Sequence, residues 1–488
     1  MNQQYKYSRI ESSKDGKLIP LCKRNLDGAE FSLHSKYNPL REAESFAQNI
    51  DESSLFIIVL GLAGAYHIKA ILDKCPKCKI IAVEISDKDI DFLKTIPMVK
   101  EVAENKRVII SDESSLEKAI LSNYKPALHG NLKILSLRQW ENLFADCAER
   151  CREKIMAAIK LLSADYSVQC HFGKIWQKNI LTNLSLAAKT KSFGEIQKKI
   201  NTDKKAAIIA AGPSLDDSAE RLKVRRNDYF IIATDTAFSA LLKRGIKSDC
   251  IISIDGQAVS HEHYMEKIPE STICVFDLCA CPSAVRKALS ESKSVLLTES
   301  GHPLSQYASL FQKKRNFPHI NSGSGTVTIA GASLAKKMGF KQIEFFGADF
   351  AYIAGRPYCQ GTYLENKFYS KSDRLSSAEK FYTALMYRTE VIKTDEKSIS
   401  TEILEAYRTS LKEFMSKEEC EENIEEGHFN LSEFKKSYIK ELKSAFPSEE
   451  NIDENSYAMT TLLPLCAKMG KGSAFLAYLK TLSYTERV

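Results

Sequence analysis

From residue 206 to residue 346 the chain repeats one unit: a short, unbroken apolar run, then a turn, then in most cases a helical stretch. The runs are 206–211, 229–234, 250–254, 273–276, 294–298 and 342–346. Apolar runs of this length without alternation are how parallel strands read when helices cover both faces of their sheet. Six of them predict a doubly wound α/β domain. The same alternation occurs more briefly near the N-terminus. Runs at 55–60, 79–85 and 107–111, with helical spacing over 65–72, predict a smaller Rossmann-like domain there.

Between and after these regions the apolar spacing turns helical. Trp140, Leu143, Phe144, Ile155, Ala158, Ile159 and Leu162 make one stripe, Ile403, Leu404, Tyr407, Leu411 and Phe414 a second, and Phe434, Tyr438 and Leu442 a third. The expected order is an N-terminal Rossmann-like domain over 1–135, a helical connector over 136–200, the central domain over 201–375 and a helical domain over 376–488. Hydrophobic residues are 44% and charged residues 27% of the 488, enough apolar material for real cores. The formal charge of +7 suits an anionic small ligand, and without a basic tail or aromatic-basic signature it does not point to nucleic acid. The polar N-terminus has no signal-peptide core, and no apolar run approaches the roughly 18 residues of a membrane span, so a cytoplasmic protein is expected. Thirteen cysteines then read as reduced thiols, and the lone Cys75–Cys78 CxxC is no zinc site, so no metal centre is expected.

The chemistry is expected where the central strands end. The first run closes in Gly212-Pro213-Ser214, the second at Asp235, the third at Asp255, the fourth at Asp277 and the last at Gly347 and Asp349. Ligands of open parallel sheets bind outside the carboxyl ends of the strands. One aspartate there is ordinarily a helix cap. Four of them beside two glycine-rich turns predict a ligand contact.

Gly212 can bend the backbone close to a ligand, and Ser214 with Asp217 makes a capping-box pattern whose helix start can receive a phosphate. Ser322, Gly323, Ser324, Gly325 and Thr326 form a second small-residue turn before a helix, able to wrap a base, ribose or phosphate. A glycine-punctuated loop follows the last strand and carries Tyr352, Arg356, Tyr358 and Tyr363, suited to an anionic leaving group. In the N-terminal domain the turn reads GLAG, Gly61 to Gly64, with Glu84 ending the next strand. Glu84 stands where a ribose-binding acid would sit in a dinucleotide or S-adenosylmethionine site, so a second nucleotide site stays open. The GLAG spacing is wrong for a pyrophosphate, however, and the domain reads first as scaffold or acceptor-docking surface.

Three segments taken together carry a resemblance: AAGPSLDD (210–217), ATDTAFSALLKRGIKSDCIISIDGQ (233–257), and SGSGTVTIAGASLAKKMGFKQIEFFGADFAY continuing through GRPYCQGTY (322–363). They resemble the motility-associated factor (Maf) glycosyltransferases, proteins built around the domain also called 6-hydroxymethylpterin pyrophosphokinase MptE-like. That family is similar in turn to bacterial sialyltransferases, which hold a CMP-activated acidic sugar between the two glycine turns without a metal. The resemblance implies donor contacts from Gly212, Pro213, Ser214, Asp235, Ser322, Gly323, Ser324, Gly325 and Thr326. It places Tyr352 and Tyr358, six residues apart after Asp349, on the leaving phosphate.

The sialyltransferases' histidine base has no counterpart past Asp349, where the sole histidine is His428. Asp255, Asp349, His261 and His263 stay open as candidates, and Asp349, Asp255, Tyr352 and Tyr358 form the expected catalytic set. The implied reaction needs no cofactor beyond a CMP-sugar donor. It moves a nonulosonic acid of the pseudaminic or legionaminic type onto Ser or Thr of a protein, with flagellin the implied acceptor. Two alternatives stay open: a Mg²⁺-dependent pterin pyrophosphokinase, for which the sequence offers no close acidic pair, and a non-catalytic nucleotide-sugar-binding protein.

Overall fold

The computed structural model describes residues 4–323, 325–417 and 425–488. It divides into two compact units, one of residues Met1–His171 with Leu463–Ala474, the other of Phe172–Leu462 with Phe475–Val488. Of the boundaries drawn from sequence, 135 falls inside the first unit, and 200 and 375 inside the second.

The first unit opens with an antiparallel meander of β1 (Tyr5–Ser12), β2 (Leu18–Arg24) and β3 (Glu30–Ser32). Four parallel strands follow: β4 (Phe56–Leu60), β5 (Lys79–Glu84), β6 (Val108–Asp112) and β7 (Leu132–Ser136), in sheet order β6-β5-β4-β7. One core lies on each face, Phe56, Ile58 and Leu60 pointing into one and Ile57 and Val59 into the other. β4 to β6 are the runs read from sequence. β7 escaped that reading because, as an edge strand, it is only partly buried and includes the polar Lys133.

The second unit holds the larger sheet: β8 (Lys205–Ile209), β9 (Tyr229–Thr234), β10 (Cys250–Ser253), β11 (Ile273–Asp277), β12 (Ser294–Thr298) and β13 (Ile343–Phe346). All six are parallel, in the order β12-β11-β10-β9-β8-β13. The chain thus walks outward from β8 to β12, then returns to pair β13 on the other side of β8. The topological switch point lies between β8 and β13, and a crevice opens where the flanking connections depart in opposite directions. Helix Val327–Met338 packs on this sheet through Gly331, where a Cβ would stand 3.2 Å from Ile208. Gly339, at φ +97°, ends that helix as its spacing predicts.

A small antiparallel sheet of β14 (Tyr352–Ile353), β15 (Ile392–Lys393) and β16 (Ser398–Ser400) follows, then the helices Glu402–Ser416, Leu431–Ala445, Tyr457–Met469 and Ala474–Arg487. The 42-residue helix Ala145–Leu186 carries the chain from the first unit into the second. Within the second unit Asn179 donates to the carbonyls of Gly256 and Cys279, and Asn183 to those of Leu278 and Ala280. Among the described residues no helix is long and apolar enough to cross a membrane.

Candidate functional site

The two strands at the switch point, β8 and the edge strand β13, stay joined beyond their ends. The amide of Ala210 donates to Phe346 O and that of Gly212 to Gly347 O, both at 2.8 Å. A Cβ on Gly212 would stand 2.4 Å from Gly347 O and 2.4 Å from Asp349 Oδ2, and one on Gly347 2.4 Å from Ala210 O. Only glycines let these turns interlock.

Asp349 is held there by the Ser214 amide at 2.9 Å and by the Ser214 hydroxyl. This corrects the capping-box reading. Ser214 makes no side-chain cap for the helix Leu215–Val224, because its hydroxyl turns to Asp349. The Asp349 carboxylate, rather than a ligand phosphate, takes the Ser214 amide, an anion at a helix start where the dipole favours it.

Outside these strand ends lies a cavity of about 220 Å³. Six of the expected catalytic and donor residues line it, Gly212, Asp235, Thr326, Asp349, Tyr352 and Tyr358, together with Gly347. Pro213, Ser214, Asp255, Ser322, Gly323 and Gly325 are not in its lining, and Ser324 lies outside the described residues. The two glycines shape the turn instead. Gly323 and Gly325 sit at φ +56° and +90°, and a Cβ on Gly323 would stand 2.7 Å from both Ile329 and Ser410. Thr326 caps the following helix through the Thr328 amide at 3.3 Å. Asp235 is buried and anchored: Oδ2 accepts from the Ser253 hydroxyl at 2.6 Å and Oδ1 from the Thr236 amide at 2.7 Å.

Tyr352 and Tyr358 reach the cavity from a strained loop. Phe350 and Ala354 take φ of +48° and +50°, which costs a non-glycine residue of order 1–3 kcal/mol and persists only where neighbours impose it. The neighbours are visible. Arg408 donates to Asp349 O at 3.0 Å and Phe350 O at 3.3 Å, and the Ser400 hydroxyl to Phe350 O at 3.1 Å. The Cys359 amide ties the loop's far end to Ala211 O at 2.9 Å. Burial pushes the Tyr358 phenol pKa above its ordinary value, with Tyr352 and Asp235 adding to the rise, so it stays protonated at neutral pH and able to donate.

Sequence reasoning missed the contribution of the helix Glu402–Ser416. Leu404 and Tyr407, read as part of a packing stripe, line the cavity, and Arg408 holds the loop. A tyrosine on an apolar stripe carries no mark that separates packing from lining. Arg356 also departs from expectation. It is absent from the cavity lining and pairs with Asp216 at 2.9 Å, whose carboxylate also takes Arg244 and the Gln360 amide at 3.0 Å. Its charge braces the loop rather than facing a leaving group.

Asp255 lies past the end of β10, its Oδ1 accepting the Gln257 amide at 2.9 Å. Burial, then the nearby Asp235, raises its pKa, while His263 opposes the rise. His263 is buried edge-on to the Tyr363 ring at 4.2 Å, with Nδ1 unpartnered. Among the described residues no three or more His, Cys, Asp or Glu side chains gather as metal ligands would.

In the first unit the GLAG turn is already filled. Glu84 accepts from the amides of Leu62 (3.2 Å), Ala63 (3.4 Å) and Ile85 (3.0 Å), from Tyr7 OH (2.9 Å) and from Trp140 Nε1 (2.7 Å). A Cβ on Gly61 would meet Trp140 at 2.7 Å. The Leu62 and Ala63 amides that a phosphate would use are thus taken by the carboxylate, and the indole packs on the turn's first glycine.

Residues 178–355 match the family model described as 6-hydroxymethylpterin diphosphokinase MptE-like. Two Treponema pallidum (strain Nichols) proteins, both described as uncharacterized, are similar. One is 37% identical over 160 residues, covering 33% of this chain and 75% of that protein. The other is 39% identical over 149 residues, covering 30% of this chain and 52% of that protein. Among solved structures, a MAf glycosyltransferase from Magnetospirillum magneticum AMB-1 superposes with a TM-score of 0.54 at 13% identity, over 100% of this chain and 89% of that one. At that identity the likeness is one of fold.

Proposed function

We propose, from the premise that this chain belongs to the Maf family of proteins built around the MptE-like domain, that it is a glycosyltransferase whose donor binds at the switch point between β8 and β13. The observation that carries this reading is the cavity itself. One space collects the interlocked glycine turn, the Thr326 helix start and two tyrosines of a strained loop. In the finer form of the proposal the donor is a CMP-activated nonulosonic acid and the acceptor a Ser or Thr hydroxyl of a protein such as flagellin. The bond between the sugar's anomeric carbon and the phosphate oxygen breaks, CMP takes the electron pair, and the acceptor oxygen bonds to that carbon as its proton passes to water. Charge grows on the phosphate along this path. The phenols of Tyr352 and Tyr358 are suited to donate to it, and donors placed in advance stabilise the transition state more than the ground state.

A diphosphokinase reading is favoured by the name of the matching family model. It requires Mg²⁺ held by converging carboxylates, whereas Asp235 is engaged by Ser253 and Thr236 and Asp255 by Gln257. A binding screen of the purified chain against CMP, ATP, S-adenosylmethionine and a hydroxymethylpterin separates the readings. Glycosyl transfer expects CMP to bind with or without EDTA. Binding of the pterin and ATP that collapses on chelation supports the diphosphokinase instead, and CMP binding with no transfer to any acceptor supports a binding protein.

A further inference from the structure

The loop that carries Tyr352 and Tyr358 has a second side. Ile353 and Arg356 exchange backbone hydrogen bonds at 3.1 and 3.0 Å across Ala354 and Gly355, both in the left-handed region, so the loop folds into a two-residue hairpin. Pro357 and Tyr358 line the switch-point cavity, whereas Arg356 and Gln360 line a separate groove of about 730 Å³. The groove's remaining walls are the helices Tyr363–Lys371 and Ala378–Met386. They bring Glu365, Tyr369, Glu379, Tyr382 and Tyr387 around one concavity.

The chemistry of this lining is specific. Tyr369 and Tyr387 are each 57% exposed, unusual for aromatic rings on the walls of a concave site. Tyr382 is buried in a small cluster with Ala378 and Met386, against which Tyr352, Phe368 and Ile399 pack. Glu365 and Glu379 have no cationic partner among the described residues, while the one cation of the wall, Arg356, is committed to Asp216. The fields of both carboxylates reach the Tyr382 hydroxyl, whose pKa is raised by burial first and by Glu365 next. Exposed phenols beside carboxylates without a cationic partner attract a cation twice, through ring quadrupoles and through charge. They repel a phosphate or an acidic peptide.

We propose that this groove is a docking site for a basic polypeptide segment, the chain bearing the hydroxyl to be modified. The identity of the segment as acceptor rests on the glycosyl-transfer reading; its binding does not. The hairpin would then hold the donor on one side and register the acceptor on the other.

The test is fluorescence anisotropy of the full chain with two labelled peptides, Gly-Ser-Lys-Thr-Arg-Gly and Gly-Ser-Glu-Thr-Asp-Gly, without donor. The basic peptide is expected to bind and to weaken as salt rises. The acidic peptide is expected to show no binding. Glu365→Gln with Glu379→Gln should weaken the basic peptide at least 10-fold, and Tyr387→Ala should weaken it separately, while CMP affinity stays unchanged in both. Because Glu365 also accepts from the Gly361 amide at 2.5 Å, Glu379→Gln alone, with unchanged melting temperature, keeps the result interpretable. Equal binding of the two peptides, no binding of either, or wild-type affinity in the double variant overturns the proposal. Loss of CMP binding with intact peptide binding counts against the donor site alone.

Discussion

At the scale of single residues, the site depends on two kinds of group that respond differently to substitution. Gly212 is architectural. Any side chain there strikes the Gly347 carbonyl and the Asp349 carboxylate at 2.4 Å, and the carbonyl cannot retreat without breaking its bond to the Gly212 amide. Gly212→Ala should therefore lower the melting temperature, an overpacking cost of about 1–3 kcal/mol, before it alters any ligand contact. A melting curve matching wild type would show that the turn can relax. Tyr352 and Tyr358 are chemical. Tyr352→Phe and Tyr358→Phe keep the rings and remove the donors. Turnover, read as CMP release with acceptor present, should fall on the order of 10²-fold, about 3 kcal/mol, with donor affinity changed far less. Full turnover in both variants would reduce the pair to packing.

At the scale of elements, the two Rossmann-like sheets are built alike and used differently. Each reverses its strand order beside its first strand, and each has a glycine turn there. In the second unit that turn faces a cavity. In the first, Glu84 and Trp140 fill it. Burial dominates the Glu84 environment and pushes its pKa from 4.5 up to about 7, against the pull of its hydrogen-bond donors. A carboxyl raised on folding binds its proton more tightly in the native state. The stability it contributes is full below about pH 4.5 and is lost as the pH rises through about 7. The chain should therefore lose stability across that window, and Glu84→Gln, which cannot titrate, should flatten the slope. Melting temperatures of both proteins from pH 4.5 to 8 check this; parallel curves would contradict it. The first unit should also fail to gain stability from S-adenosylmethionine or NAD.

At the scale of the whole molecule, sequence revealed the frame of the second unit better than its site. Continuous apolar runs mark buried parallel strands, so β8 to β13 were legible nearly residue by residue. β1, β3 and β7, with polar residues among partly buried ones, were not, and neither was β2, whose short buried run contains Pro20. Gly212, Asp235 and Asp349 were legible because the carboxyl ends of parallel strands converge on one edge of the sheet, Thr326 because it ends a small-residue helix entry, and the pairing of Tyr352 with Tyr358 only through the family resemblance. Leu404 and Tyr407 were not, since helix periodicity reports burial and is silent on which cavity a buried side chain borders. Nor does sequence show that Ser214 abandons its own helix cap for Asp349, a partner 135 positions away.

The central claim, that the switch-point cavity holds the donor nucleotide, meets its most direct test in calorimetric titration of CMP into the wild-type chain and into Ala351→Trp. The indole would fill much of the roughly 220 Å³ cavity while leaving the residues of the interlocked glycine turn unsubstituted. The account predicts saturable binding at one site in the wild type, insensitive to EDTA, and loss of that binding in Ala351→Trp at unchanged melting temperature. CMP binding of equal strength in both proteins would place the donor elsewhere and contradict it.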